Sequence, residues 1–173
     1  MANLIVTVIA IALVAVASLM GAYYGGSAFL KGSAKAAASA LVNQGQQIAA
    51  GWVLFANDRG GVAPTNIDPA LVDNNYITER PVPPSSALAG TSWTLKDGAD
   101  STDVNVLPVF AEIQIGAKTV CDEVQRSARN IVHTDPYVST ATALARKAMF
   151  DNSRFDCLVG PVTDNFTVVY KIQ

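Results

Sequence analysis

The sequence predicts an α+β fold in which a long N-terminal α-helix, its apolar first half protruding, packs through its second half on a small antiparallel β-sheet. Three observations predict it. An uncharged apolar run opens the chain and passes directly into a second, amphipathic helical pattern. A proline-rich loop follows. The remainder alternates strand-like segments with one helix and ends on a β-branched, aromatic strand.

The opening run carries no charged side chain before Lys31, and Leu4 to Ala22 is interrupted only by Thr7, Ser18 and Gly21. At ~1.5 Å per residue, a helix over this run can cross the ~30 Å hydrocarbon layer. Tyr23 and Tyr24 follow where interfacial aromatic side chains sit. A secretory signal peptide fits less well. "MAN" lacks a positive n-region, the apolar core is long, and the small-x-small site at Ala15 and Ala17 lies inside it. An ordinary membrane anchor explains the apolarity alone. It does not explain the density of small residues at Ala10, Ala12, Ala15, Ala17, Ser18, Gly21, Ala22, Gly25 and Gly26. Small residues let helix backbones approach closely, and Gly21 and Gly25 have GxxxG spacing.

The helical pattern continues through "SAKAAASALVNQGQQIAAGWVLFAND". Leu41, Ile48, Trp52 and Phe55 form a stripe with Gly45 in its gap, and polar Asn43, Gln44, Gln46 and Gln47 fall mostly beside it. "NDRGG" supplies glycine for a C-cap. One helix over 3–57 is therefore predicted. A break is expected at Gly21, Gly25 and Gly26, because glycine weakens a helix interior.

Beyond it, prolines at 64, 69, 81, 83 and 84 mark a loop. "DPALVDNNYI" reads as a short helical turn capped by Asp68 or Asn66. "TSWTLKDG" reads as a strand entering a turn at Asp97–Gly98. "VNVLPVFAEIQIG" is a second strand, whose Pro108 argues against a central place in the sheet. "AKTVCDEVQRSARNIV" is helical, with Val120, Val124, Ala128 and Ile131 on one face. Helix is also expected over 138–149, and "NFTVVYKIQ" is a closing strand. The division is residues 1–30, the apolar half of the helix, and 31–173, a globular domain. The domain comprises the amphipathic helix half (31–57), a loop (58–90) and the sheet with its appended region (91–173).

Charge and chemistry narrow the function. The net charge is −2, and no Lys/Arg run would grip phosphates, so nucleic acid is not an expected partner. The single histidine, His133, lacks visible partners for a nucleophile or metal site. Asp97, Asp100 and Asp103 do not follow the EF-hand pattern. Trp52 and Phe55 read as core, and Tyr137 and Phe150 as local packing or surface contacts. No catalytic residue, cofactor or metal is predicted, and the chain is read as a non-enzyme. The two cysteines, Cys121 and Cys157, are one disulfide in an exported protein or two buried thiols in a cytoplasmic one.

In this order of features the chain resembles a type IV pilin, and the type IVb branch more than the other. The resemblance rests on the charge-free run flowing into the helix at 3–57 and on "ALVDNNYITERPVPP", similar to the pilin stretch where a leucine-containing turn leads to Gly/Asn-Tyr-Ile/Leu and then prolines. It rests also on a helix bearing Cys121 after a strand, with Cys157 before the last strand. It covers essentially the whole chain. Two positions depart from the family: Ile5 stands where a glutamate usually pairs with a neighbour's N-terminal amine, and Ala22 where proline is common.

The resemblance implies a structural subunit of an extracellular filament, held in the inner membrane before assembly and polymerised by a pilus assembly machinery into a helical homopolymer. Leu4, Ile5, Val8, Ile9, Ala12, Leu13, Val16, Leu19 and Met20 would pack the filament core. Met1 would be the processed, methylated N-terminus. Cys121 and Cys157 would pair across the variable D-region. A loop of this length closed by a disulfide stabilises a domain by ~4 kcal/mol in the chain-entropy picture. The alternatives are a minor pilin or secretion pseudopilin, and a single-pass anchored domain that binds or catalyses alone.

Overall fold

The computed structural model describes residues 2–98, 107–129, 153–159 and 165–172. Met1, Asp100, Asp103, Ile131, His133, Tyr137, the expected helix over 138–149 and Phe150 lie outside the described residues, as does the side chain of Tyr24. The elements are α1 (Ala2–Asp58), β1 (Thr94–Gly98), β2 (Leu107–Ile115), α2 (Lys118–Arg129), β3 (Phe155–Val159) and β4 (Phe166–Lys171). The chain divides into two compact units, Met1–Ala34 and Lys35–Gln173.

In the first unit the helix runs unbroken through Gly21, Gly25 and Gly26, which corrects the expected break for the single chain. Each glycine costs about 1 kcal/mol relative to alanine but keeps its N–H and C=O, so the i→i−4 ladder survives where nothing competes for it. α1 stops at Asp58, where Arg59 N–H donates to Phe55 O at 3.0 Å and Gly61 N–H to Ala56 O at 2.7 Å. Gly60 and Gly61 take the positive φ that such a cap requires.

In the second unit, α1 buries Ala38, Leu41, Gly45, Ile48, Trp52 and Phe55, at alternating spacings of three and four. That stripe meets a four-stranded antiparallel sheet of order β1-β2-β4-β3. Residues opposite one another share a face, so Ala111, Ile113 and Ile115 of β2 lie with Tyr170, Val168 and Phe166 of β4. All six are buried. A Cβ at residue 45 would stand 2.7 Å from the Tyr170 Cβ, so the helix backbone lies directly against this ring. Residue 51 is equally tight, 2.6 Å from the Ile77 Cγ2 of the loop.

β2 is an inner strand, contrary to the expectation from Pro108. The register with β1 shifts between Lys96 and Gly98, and the pairing with β4 begins only at Phe110. Pro108 thus sits at a bulge, where a missing donor is tolerated. The same shift keeps Asp97–Gly98 within β1 rather than in a turn. β3, which the sequence reading passed over, is the edge strand beyond β4.

The loop is pinned to the helix by side chains. Trp93 Nε1–H donates to Gln44 Oε1 at 2.8 Å, and Gln44 Nε2–H to Val82 O at 2.6 Å. Tyr76 donates to Asp58 at 2.9 Å and packs edge-on against Phe55. The expected helical turn is a set of tight turns, with Leu71 N–H bonded to Ile67 O. Asp68 pairs with Arg80 at 2.9 Å, an ion pair that ties the start of these turns to the residue just before Pro81.

Two glycines on the same helix meet opposite surroundings, and substitution reads the difference. Gly45→Ala overpacks the Tyr170 contact, a cost of about 1–3 kcal/mol that exceeds the helix-propensity gain of ~1 kcal/mol. Gly32→Ala meets nothing within 4 Å and keeps the gain. Denaturant unfolding of the full chain in detergent, followed by tryptophan fluorescence, is expected to show a lower midpoint for Gly45→Ala and no lowering for Gly32→Ala.

Candidate functional site

The residues with an unmet physical requirement lie in the first unit. Leu4, Ile5, Val8, Ile9, Leu13, Val16, Leu19 and Met20 are all exposed, Ile5 by 62%, and so is Ala12. Of the described residues, this helix alone is long and apolar enough to cross a membrane, with a mean hydropathy of 2.7 over its most apolar window and none of that window buried. A signal sequence near an N-terminus passes the same test. Apolar surface on this scale is not left in water by soluble proteins; lipid or protein must cover it.

The polar groups in the run are compatible with a dry cover. Thr7 Oγ1 donates to Asn3 O at 2.7 Å, and Ser18 Oγ to Val14 O at 2.8 Å. These are the only hydroxyls between Leu4 and Ala22, and both spend their proton on a carbonyl one turn back. The backbone is satisfied by the helix itself, which is what a hydrocarbon environment demands.

The run is apolar all round but not uniform in size. Asn3, Thr7, Ala10, Ala17, Gly21, Gly25, Ala28 and Gly32 recur at helical spacing on one face, broken by Val14. Ile5, Ile9, Val16, Leu19, Tyr23 and Leu30 lie on the opposite face, which also carries Ala12 and Gly26. The sequence reading registered the density of small residues and missed this segregation; a helical projection would have found it. A Cβ at Gly21, Gly25, Gly26 or Gly32 meets nothing within 4 Å. Among the described residues, nothing therefore requires glycine there.

The second feature is the cysteine pair. Cys121 of α2 and Cys157 of β3 form a disulfide, with Cα atoms 5.4 Å apart, spanning 36 residues. Both cysteines are buried. Lys171 N–H donates to Arg154 O at 2.7 Å, which sets the phase of the β3–β4 ladder. Asp156 and Leu158 then turn their backbone groups to β4, and Cys157 turns its own to the outer edge. There Gln125 Nε2–H of α2 donates to Cys157 O at 2.9 Å, and Cys157 N–H donates to the Asp156 carboxylate at 2.7 Å. Asp156, only 3% exposed, pairs with Arg129 at the end of α2. Helix α2 and these side chains seal an edge that would otherwise present free donors and acceptors.

Among the described residues, no three His, Cys, Asp or Glu side chains gather as metal ligands do. Compared with known families, curated proteins and solved structures, the chain matches none.

A charge placed in the apolar run tests whether it meets hydrocarbon. Leu13→Arg, near the middle of Leu4–Ala22, is expected to cost insertion about 2.5–3.5 kcal/mol. Alkaline extraction of membranes should release the variant and leave the parent chain in the pellet.

Proposed function

We propose that this chain is a structural subunit of a type IV pilus-like extracellular filament, polymerising through the first half of α1. One observation carries the reading. A helix segment apolar on every face is exposed at its described side chains, and its glycines meet no other described residue. Lipid alone would be met as well by leucine or valine, whereas close packing of like helices needs small residues on a face. The disulfide-bonded α+β unit that follows suits an outer surface exposed to an oxidising medium.

In this reading the subunit waits in the inner membrane and is drawn into the filament by an assembly machinery. Leu4, Ile5, Val8, Ile9, Ala12, Leu13, Val16, Leu19 and Met20 then exchange lipid for neighbouring helices. Cohesion comes from van der Waals contact and burial, and the chain performs no catalysis.

Ile5 favours a second reading. Without a glutamate to pair with a neighbour's amine, the chain fits a minor pilin or pseudopilin that primes or caps a filament made of another subunit. Electron microscopy of material sheared from the cell surface, with mass spectrometry of the subunit, separates the two. Filaments built mainly of this chain support the major-subunit reading. The chain as a trace component of other filaments supports the second. Its recovery only from detergent extracts, without filaments, overturns the major-subunit reading and leaves a pseudopilin or a lone anchored domain.

The small-residue face can be tested directly. Gly21→Leu with Gly25→Leu is expected to abolish filaments while leaving the unfolding midpoint of the second unit unchanged. Ile9→Leu, on the opposite face, should leave filaments intact.

A further inference from the structure

The Cys121–Cys157 disulfide cannot be reached by a thiol as the fold stands, since Cys121 is 0% and Cys157 2% exposed. Parting α2 from the edge strand β3, which pack on each other across the disulfide, opens a route to the sulfurs. The groups that resist parting are the Asp156–Arg129 ion pair and the Gln125 bond to Cys157 O, which clasp the same edge from the same helix. Asp156 also accepts from the Cys157 amide, so the ion pair and the cysteine backbone are coupled through one carboxylate. Among the described residues no further strand holds the outer edge of β3, and helix α2 bonds its outward-facing backbone.

We propose that Asp156, Arg129 and Gln125 form a latch that gates reduction of the Cys121–Cys157 disulfide. With the latch closed the sulfurs are shielded. With it open, a thiolate attacks one sulfur and forms a mixed disulfide, releasing the other cysteine as a thiolate. The reductant's second thiol then displaces the remaining cysteine. The two protein sulfurs gain two electrons and two protons, and the dithiol becomes a cyclic disulfide. The gate sets the rate through the open fraction, not through the chemistry of the bond. It is independent of filament assembly.

The test is the rate of reduction of the full chain in detergent by dithiothreitol, read by mass after alkylation, for the parent, Arg129→Met and Gly51→Ala. Breaking one side of a buried ion pair raises the open fraction about 100-fold, and Arg129→Met should be reduced faster by that factor. Gly51→Ala overpacks the contact with Ile77 of the loop, away from β3, and serves as the control for global unfolding. It should speed reduction less than Arg129→Met does at matched loss of stability. In full denaturant all three chains should be reduced at one rate. Equal native rates for the parent and Arg129→Met overturn the gate. So does a Gly51→Ala rate that matches Arg129→Met at equal stability, because exposure would then come from unfolding of the whole unit.

Discussion

The contact of α1 with the sheet at Gly45 and Tyr170 sets the geometry of the second unit. A helix backbone normally stands off a sheet by the length of its side chains. Here residue 45 has none, and the Tyr170 ring fills the space. Leu41 and Ile48, one turn to either side, are fully buried. This holds only if β4 keeps its register. A slip by one residue would turn Tyr170, Val168 and Phe166 to the other face and put Lys171 and Val169 toward the helix. The pairing of β4 with both β2 and β3 resists that slip, since each neighbour fixes the same phase.

The two ends of the sheet are finished differently. On the β1 side, a bulge in the β1–β2 pairing accommodates Pro108, and the loop supplies a further bridge to β2 at Ala87–Ile115. At the β3 edge, α2 supplies a covalent bond, an amide and an ion pair within a few residues. The covalent and polar ties act in different ways. The disulfide limits the freedom of the unfolded chain. The polar groups satisfy backbone donors and acceptors that a bare edge would leave open.

The two halves of α1 are governed by different solvents. From Lys35 to Asp58 the helix has one apolar stripe and its own sheet to bury it. Before Ala34 it has apolar side chains on every face and nothing in its own unit to cover them. The proposed filament resolves this by giving each helix the helices of its neighbours, and the membrane serves the same need beforehand. The size asymmetry of the first half bears on the choice between these covers, because lipid is indifferent to which face carries glycine and a packed helix is not.

Much of the fold was legible in the sequence because it is written in local periodicity. The helical stripe at Leu41, Ile48, Trp52 and Phe55, the face of Val120 and Val124, and the closing strand from Phe166 all follow from spacing and side-chain type. So does the apolar character of the first half of α1. What spacing cannot report is partnership. β3 was missed because "FDCLV" is too short and too mixed to declare itself, and it becomes a strand only through β4. Pro108 was misjudged because a bulge is a property of two strands, not one. By sequence Asp68 or Asn66 is the expected cap, and in the fold Asp68 pairs with Arg80, twelve residues on. The glycines at 25 and 45 look alike in sequence. The sequence by itself determined α1, α2 and the strands β1, β2 and β4, and that the first helix half must find a cover. Only the tertiary structure decided which glycine is pressed against a ring and which faces open space, because close approach depends on what the rest of the chain brings alongside.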